Sequence, residues 1–180
     1  VGSEMCIRDR YTSIIVNDVL QGNSELGLCS NPSPDDPVLC SLNRHVIHKE
    51  PVGLIVGKNH PFAHRSSVSV EDLRDERFIV YIRSFRGTNQ MLYDLCSPYG
   101  FEPNIAMEAY NDYGVLNSVA SGDGIAIIPT TRFLERPDVV RIPLDLKKPL
   151  MRDLVLVWRK NEKLPPAAAA FRDMLISTAQ

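Results

Sequence analysis

The chain has 180 residues, 44% of them apolar, and a formal net charge of −2, enough for one domain or two small lobes. No apolar run approaches the roughly 18 residues of a membrane span, and the basic residues are scattered, with Lys147-Lys148 the one lysine pair. A chain that held DNA by itself would show a basic face, and this one gives no such sign. VGSEMCIRDR, residues 1–10, lacks the apolar core of a signal peptide and is read as a non-native leader, excluded from the fold.

Ile14, Ile15, Val19 and Leu20 lie near helical spacing, and Gly22 is placed to end that helix in the left-handed conformation. Leu26 to Cys29 reads as a short strand, broken by Ser30-Asn31-Pro32. Two further strands are expected near Leu39 to Lys49 and Val52 to Val56, followed by a polar connection, KNHPFAHRSS. A regular alternation comes next. Val70 to Leu73 is a helical turn, and Phe78 to Ile82 a strand. Thr88 to Pro98 contains a helix with Met91, Leu92 and Leu95 as its stripe. Ile105 to Ala109 is a strand, and Asp112 to Ser121 a helix with Val115, Leu116 and Val119 inward. Ile125 to Ile128 is a strand, Thr130 to Glu135 a short helix, and Val139 to Ile142 and Leu154 to Trp158 are strands. Pro165-Pro166 opens a final helix through Ser177, with proline in its first turn. Strands alternating with helices predict the α/β class, a parallel sheet with helices packed on it.

Ser121-Gly122-Asp123-Gly124 has the glycines of a phosphate-binding turn but the wrong polarity. Such a turn follows a strand and opens a helix, whose N-terminal N–H groups face the anion. This one follows a helix and opens a strand, so Gly122 or Gly124 is a helix stop with positive φ. Ligands in open α/β sheets bind outside the carboxyl ends of the strands. Four such loops occur: Ser30-Asn31, Ser84 to Thr88, Tyr110 to Asp112, and Pro129-Thr130.

RSFRGTNQ, residues 83–90, is the most informative of them. Hydroxyls and free N–H groups just before a helix suit a carboxylate or phosphate. Arg86 opposes the helix dipole, a conflict that a bound anion would remove. An exposed arginine beside a Ser or Thr cap is the alternative, and both readings stay open. Asn111-Asp112 is expected to cap the following helix. Tyr110 is expected as a partly buried wall residue. Ser30 either donates to a ligand or begins a turn.

The sequence lacks a G-x-S-x-G elbow, an H-E-x-x-H pair and a G-x-x-x-x-G-K-[ST] loop. His45 and His48, three apart in a strand, point to opposite faces, and His60 and His64 are read as members of a solvated loop. Cys6, Cys29, Cys40 and Cys96 have no C-x-x-C spacing and read as free, largely buried thiols. No metal, catalytic residue or cofactor is expected.

Four stretches then carry a family resemblance: VLQGNSELGLCSNP, PVGLIVGKNHPFAHRSSVSVEDLRDERFIVY, YGFEPNIAMEAYNDYGVLNSVASGDGIAIIP and LVLVWRKNEKLPPAAAAFRDML. The order H-P, S-V-E-D-L, F-I, G-F-E-P, G-x-G-I-A-I-I-P resembles the effector-binding domain of LysR-type transcriptional regulators over residues 12–178. The resemblance implies a type 2 periplasmic-binding-protein-like fold, two α/β lobes joined by two crossover segments. Lobe one would hold residues 11–57 and 151–180, incomplete because its first strand-helix unit is missing; lobe two would hold 58–150. A small anionic effector is expected between the lobes, against Ser30, Asn31, Ser84, Phe85, Arg86, Tyr110, Asn111 and Pro129. The resemblance further implies a cytoplasmic homodimer or homotetramer that reaches DNA only through an N-terminal winged helix-turn-helix outside this chain. The alternatives are a solute-binding protein of a transport system, which would need a signal peptide, and an enzyme on the same fold, which would need a nucleophile or an acid/base pair.

Overall fold

A computed structural model describes residues 11–30, 37–82, 88–130 and 136–179. The chain forms two compact units: one holds the residues up to Lys49 and those from Asp153 onward, the other Glu50–Arg152.

In the first unit, helix α1 (Thr12–Leu20) buries Val16 and Val19. It ends where Gly22 takes φ 76°, as its position predicts. Strand β1 (Leu26–Ser30) follows and pairs antiparallel with β7 (Met151–Arg159), Leu28 facing Leu156. Val16, Val19, Cys29, Leu39, Leu42, Val155 and Val157 make one core. Alternate residues of β1 and β7 supply it, as the two-residue period of a strand requires. Helix α4 (Pro166–Thr178) starts with proline at its first turn, and Arg172 stacks on Trp158 at 5.6 Å.

The strands expected at Leu39–Lys49 and Val52–Val56 are one strand, β2 (Leu42–Gly57), preceded by a 3-10 turn over Pro37–Ser41. Pro51 does not break it, because the strand changes partners there. From Val52 onward β2 pairs with β5 (Ala126–Pro129) and β6 (Val139–Ile142). The carbonyl of Pro51 accepts from the Thr130 amide at 2.8 Å and the Thr130 hydroxyl at 3.0 Å. A proline has no N–H to lose at such a junction.

The second unit holds the strand-helix alternation. Strand β3 (Arg77–Tyr81) runs parallel to β4 (Asn104–Ala109) and bridges in parallel to the start of β5 through Phe78 and Ile125. Helices α2 (Thr88–Cys96) and α3 (Asp112–Ser121) connect them. The two sheet faces have separate cores. Leu54, Phe78, Val80, Ile125 and Ile127 pack with Leu92 and Cys96 of α2, while Ile55, Ile79, Ala126 and Ile128 pack with Val115, Leu116 and Val119 of α3. Burial on both faces explains why these strands read as continuous apolar runs; each large side chain so buried contributes about 1.5–3 kcal/mol.

The expected parallel pairing holds for β3 with β4 and with the start of β5, but the sheet is mixed, since β2 runs antiparallel to both β5 and β6. Only strands joined by a helical crossover must be parallel, and β2 enters this unit from the other. The turn after α3 is structural, as its polarity predicts. Gly122 is the residue with φ 85°. Gly124 is needed for space, because a Cβ there would meet the Arg77 carbonyl oxygen at 2.4 Å. His60 corrects the solvated-loop expectation. Its Nδ1 accepts from the Phe62 amide at 3.2 Å, and its Nε2 lies 3.4 Å from Glu76. Cys29 and Cys96 are buried as expected, but Cys40 is exposed. The helix expected over Thr130 to Glu135 falls on 131–135, outside the described residues.

Candidate functional site

Because β3, β4 and β5 run parallel, their carboxyl ends share one edge of the second unit, where a parallel sheet opens to ligands. Tyr81 ends β3, Ala109 ends β4 and Pro129 ends β5. Asn111, in extended conformation at φ −155°, caps α3, its side-chain oxygen accepting from the Gly114 amide at 3.0 Å. Asp112 is the first residue of that helix, where a carboxylate is favoured by the helix dipole. Its Oδ1 accepts a short hydrogen bond from the Tyr81 hydroxyl. Burial, then this bond, hold the Tyr81 hydroxyl well above the usual phenol range, so it stays a neutral donor.

Asn89, in the first turn of α2, grips the Tyr81 backbone from the other side. Its amide nitrogen donates to the Tyr81 carbonyl at 2.7 Å, and its oxygen accepts from the Tyr81 N–H at 3.3 Å. Arg152 and Glu50, on β7 and β2, form a largely buried pair with Nε to Oε2 at 2.7 Å and side chains 23% and 17% exposed. Their opposing charges act on the Tyr81 hydroxyl, so they belong to the same polar cluster. Among the described residues that act on Tyr81, the carboxylates of Asp112 and Glu50 outnumber the guanidinium of Arg152. A bound anion would therefore need a further cation from a neighbouring loop.

Tyr110 and Asn111, after β4, and Pro129, at the end of β5, thus lie along this edge. Pro129 is buried and pairs with Val52 of β2. Tyr110 is 76% exposed, not the partly buried wall residue expected; it stands between the end of β4 and the α3 cap. Ser30 lies in the first unit. Its amide donates to the Thr12 hydroxyl at 3.2 Å, and that hydroxyl donates back to the Ser30 carbonyl at 3.3 Å, tying β1 to the start of α1. Asn31, Ser84, Phe85 and Arg86 lie outside the described residues. Sequence reasoning missed Tyr81, Asn89, Glu50 and Arg152. A polar residue closing the FIVY run was a usable signal for Tyr81; nothing local marks Glu50 and Arg152, 102 positions apart.

Among the described residues, no group of three or more His, Cys, Asp or Glu side chains could hold a metal ion, and no helix is long and apolar enough to cross a membrane.

A family profile described as the LysR substrate binding domain matches residues 7–180. The chain belongs to the LysR substrate-binding domain family. Its curated relatives include the transcriptional dual regulator GltC of Bacillus subtilis, 25% identical over 175 residues that make up 96% of this chain and 57% of GltC. They also include the regulator AlsR of the same species, 28% identical over 88% of this chain and 52% of AlsR. The LysR-family chain here thus spans about half the length of these relatives. Among solved structures, the effector binding domain of QuiR in complex with shikimate superimposes with a TM-score of 0.80 at 22% identity, covering 94% of this chain and 78% of that one. The regulatory domain of Synechocystis CcmR in complex with 2-PG gives the same TM-score at 19% identity, over 94% and 80%. These structures share the type 2 periplasmic-binding-protein-like fold, as expected from the sequence.

Proposed function

We propose that this LysR substrate-binding domain is the effector sensor of a cytoplasmic DNA-binding transcriptional regulator. Its two units act as the two lobes, and a small anionic metabolite is the effector. The observation that carries the reading is the shared edge of β3, β4 and β5, where Asn89 in the first turn of α2 and Asp112 in the first turn of α3 both bond Tyr81. The ligands bound in the QuiR and CcmR structures, shikimate and 2-PG, support a small-molecule effector. Since the described cluster is more acidic than basic, Arg86 is the residue assigned to the anionic group. Ser84, Phe85, Asn31, Ser30 and Asn111 are the further residues assigned to the effector, with Tyr110 and Pro129 beside them. The domain turns over no substrate. The effector acts by binding one arrangement of the regulator more tightly than another, and so governs a winged helix-turn-helix and a homodimeric or homotetrameric assembly in the whole protein.

Titration calorimetry with a panel of small carboxylates and phosphates tests this. Arg86→Ala should weaken the best binder about tenfold or more, the scale of a lost charge-assisted hydrogen bond, without shifting the unfolding midpoint. Unchanged affinity removes Arg86 from the site. Chemical turnover of the bound compound would replace the sensor by an enzyme.

A further inference from the structure

Tyr81 is held at both of its ends by two different helices. Its backbone N–H and C=O are both taken by the Asn89 side chain of α2, and its hydroxyl is taken by Asp112 of α3. Asn89 and Asp112 lie in the first turns of their helices, so a single residue ties together the two helix N-termini that open on the sheet edge. The ring is mostly buried between these contacts, which leaves it little rotameric freedom. The capping Asn111 adjoins Asp112 and bonds Gly114. The position of the α3 cap therefore follows the Tyr81 hydroxyl.

We infer that Tyr81 is a positioning residue that fixes the α3 cap and the Tyr110-Asn111 loop against the start of α2, and so sets the ligand-facing edge of the second unit. The latch uses strong elements. A hydroxyl-to-carboxylate bond is charge-assisted, and the amide of Asn89 satisfies both backbone groups of Tyr81 as a neighbouring strand would. Loosening one end affects one helix start: loss of the hydroxyl loosens the first turn of α3 and leaves that of α2 clamped, whereas loss of the Asn89 amide does the reverse. Effector contacts at the Tyr110-Asn111 loop are then coupled to the start of α2 through Tyr81, since Asn89 and Asp112 share that anchor. That last step rests on the reading of this edge as the effector site; the latch does not.

Tyr81→Phe and Asn89→Ala, made in the full chain, test the proposal by amide hydrogen exchange without any ligand. In Tyr81→Phe, exchange of the Gly114 and Val115 amides, both bonded to Asn111, should rise about tenfold, the scale of one charge-assisted bond, with the Tyr81 amide held by Asn89 unchanged. Asn89→Ala should give the opposite pattern. Asp112→Asn keeps an acceptor for the hydroxyl and should largely preserve the protection that Tyr81→Phe removes. Unchanged exchange in Tyr81→Phe, or an equal rise across the whole unit, overturns the latch. Titration of shikimate, or of whichever panel member binds, supplies the second readout. Affinity that falls in Tyr81→Phe supports the positioning role, and unchanged affinity beside raised exchange overturns that role alone. The effector reading itself stands or falls separately, on Arg86→Ala.

Discussion

The carbonyl oxygen of Arg77 occupies the place where a side chain on Gly124 would begin, 2.4 Å from the ideal Cβ position. The same oxygen accepts from the Ile125 amide at 2.8 Å, and the Ile79 amide donates to the Ile125 carbonyl at 2.8 Å. This close approach joins β3 to β5 and so brings their carboxyl ends to one edge. Gly124→Ala should therefore destabilise the domain by about 1–3 kcal/mol, the range of overpacking substitutions. Urea unfolding measures it; a change within a few tenths of a kcal/mol would mean that the two strands part without cost.

The α3 cap gives a second expectation. Asn111→Ala leaves the Gly114 amide without its side-chain partner and should cost about 1 kcal/mol, whereas Asn111→Asp, which keeps an acceptor there, should cost much less. Equal losses in both variants, read from thermal unfolding, would show that the cap bond contributes nothing.

The thiols should separate by reactivity. Burial pushes the Cys29 thiol up to about 12 and the Cys96 thiol up to about 11, whereas Cys40 is exposed. The thiolate is the reactive form. At neutral pH a thiol reagent should modify Cys40 promptly and reach Cys29 and Cys96 only after unfolding. Peptide mapping of the labelled protein checks this, and early labelling of Cys29 would mean that the core around α1 opens.

Two carboxylates should make the domain sensitive to acid. The Ser69 amide and hydroxyl, at 3.2 and 3.0 Å, hold Asp72 below its ordinary 3.8. The Arg136 guanidinium, at 2.9 Å through Nε, does the same to Asp138. A depressed carboxylate contributes stability above its unfolded pKa and loses it as pH falls through the folded value. The loss should therefore begin near pH 4 and continue below it. Both groups lie at the surface, so salt should weaken the effect. The thermal midpoint followed from pH 5 to pH 2 should fall less steeply in Asp138→Asn than in the parent; identical slopes would remove Asp138 from the acid response.

Much of this was legible from the chain alone. Apolar spacing set the inward face of α3 and part of those of α1 and α2, since Val19, Leu92, Val115, Leu116 and Val119 are buried where the helical period puts them, whereas Ile14, counted in the α1 stripe, is 42% exposed and Val16 is buried instead. Turn chemistry set the ends: Gly22 and Gly122 stop helices with positive φ, and Asn111 caps one. The polarity of Ser121 to Gly124 was enough to reject a phosphate loop, because helix-then-strand order fixes which backbone groups remain free. These features depend on residues within a turn or two of one another. Tertiary structure alone decided the rest. Pro51 reads locally as a break, yet β2 continues because Thr130, 79 positions away, bonds its carbonyl. Tyr81, Asn89 and Asp112 meet only because the sheet places the ends of β3 and β4 side by side. Glu50 and Arg152 become partners only when β2 and β7 are brought together. Local physics wrote the elements, and long-range pairing, which leaves no period in the sequence, chose which polar groups share the edge.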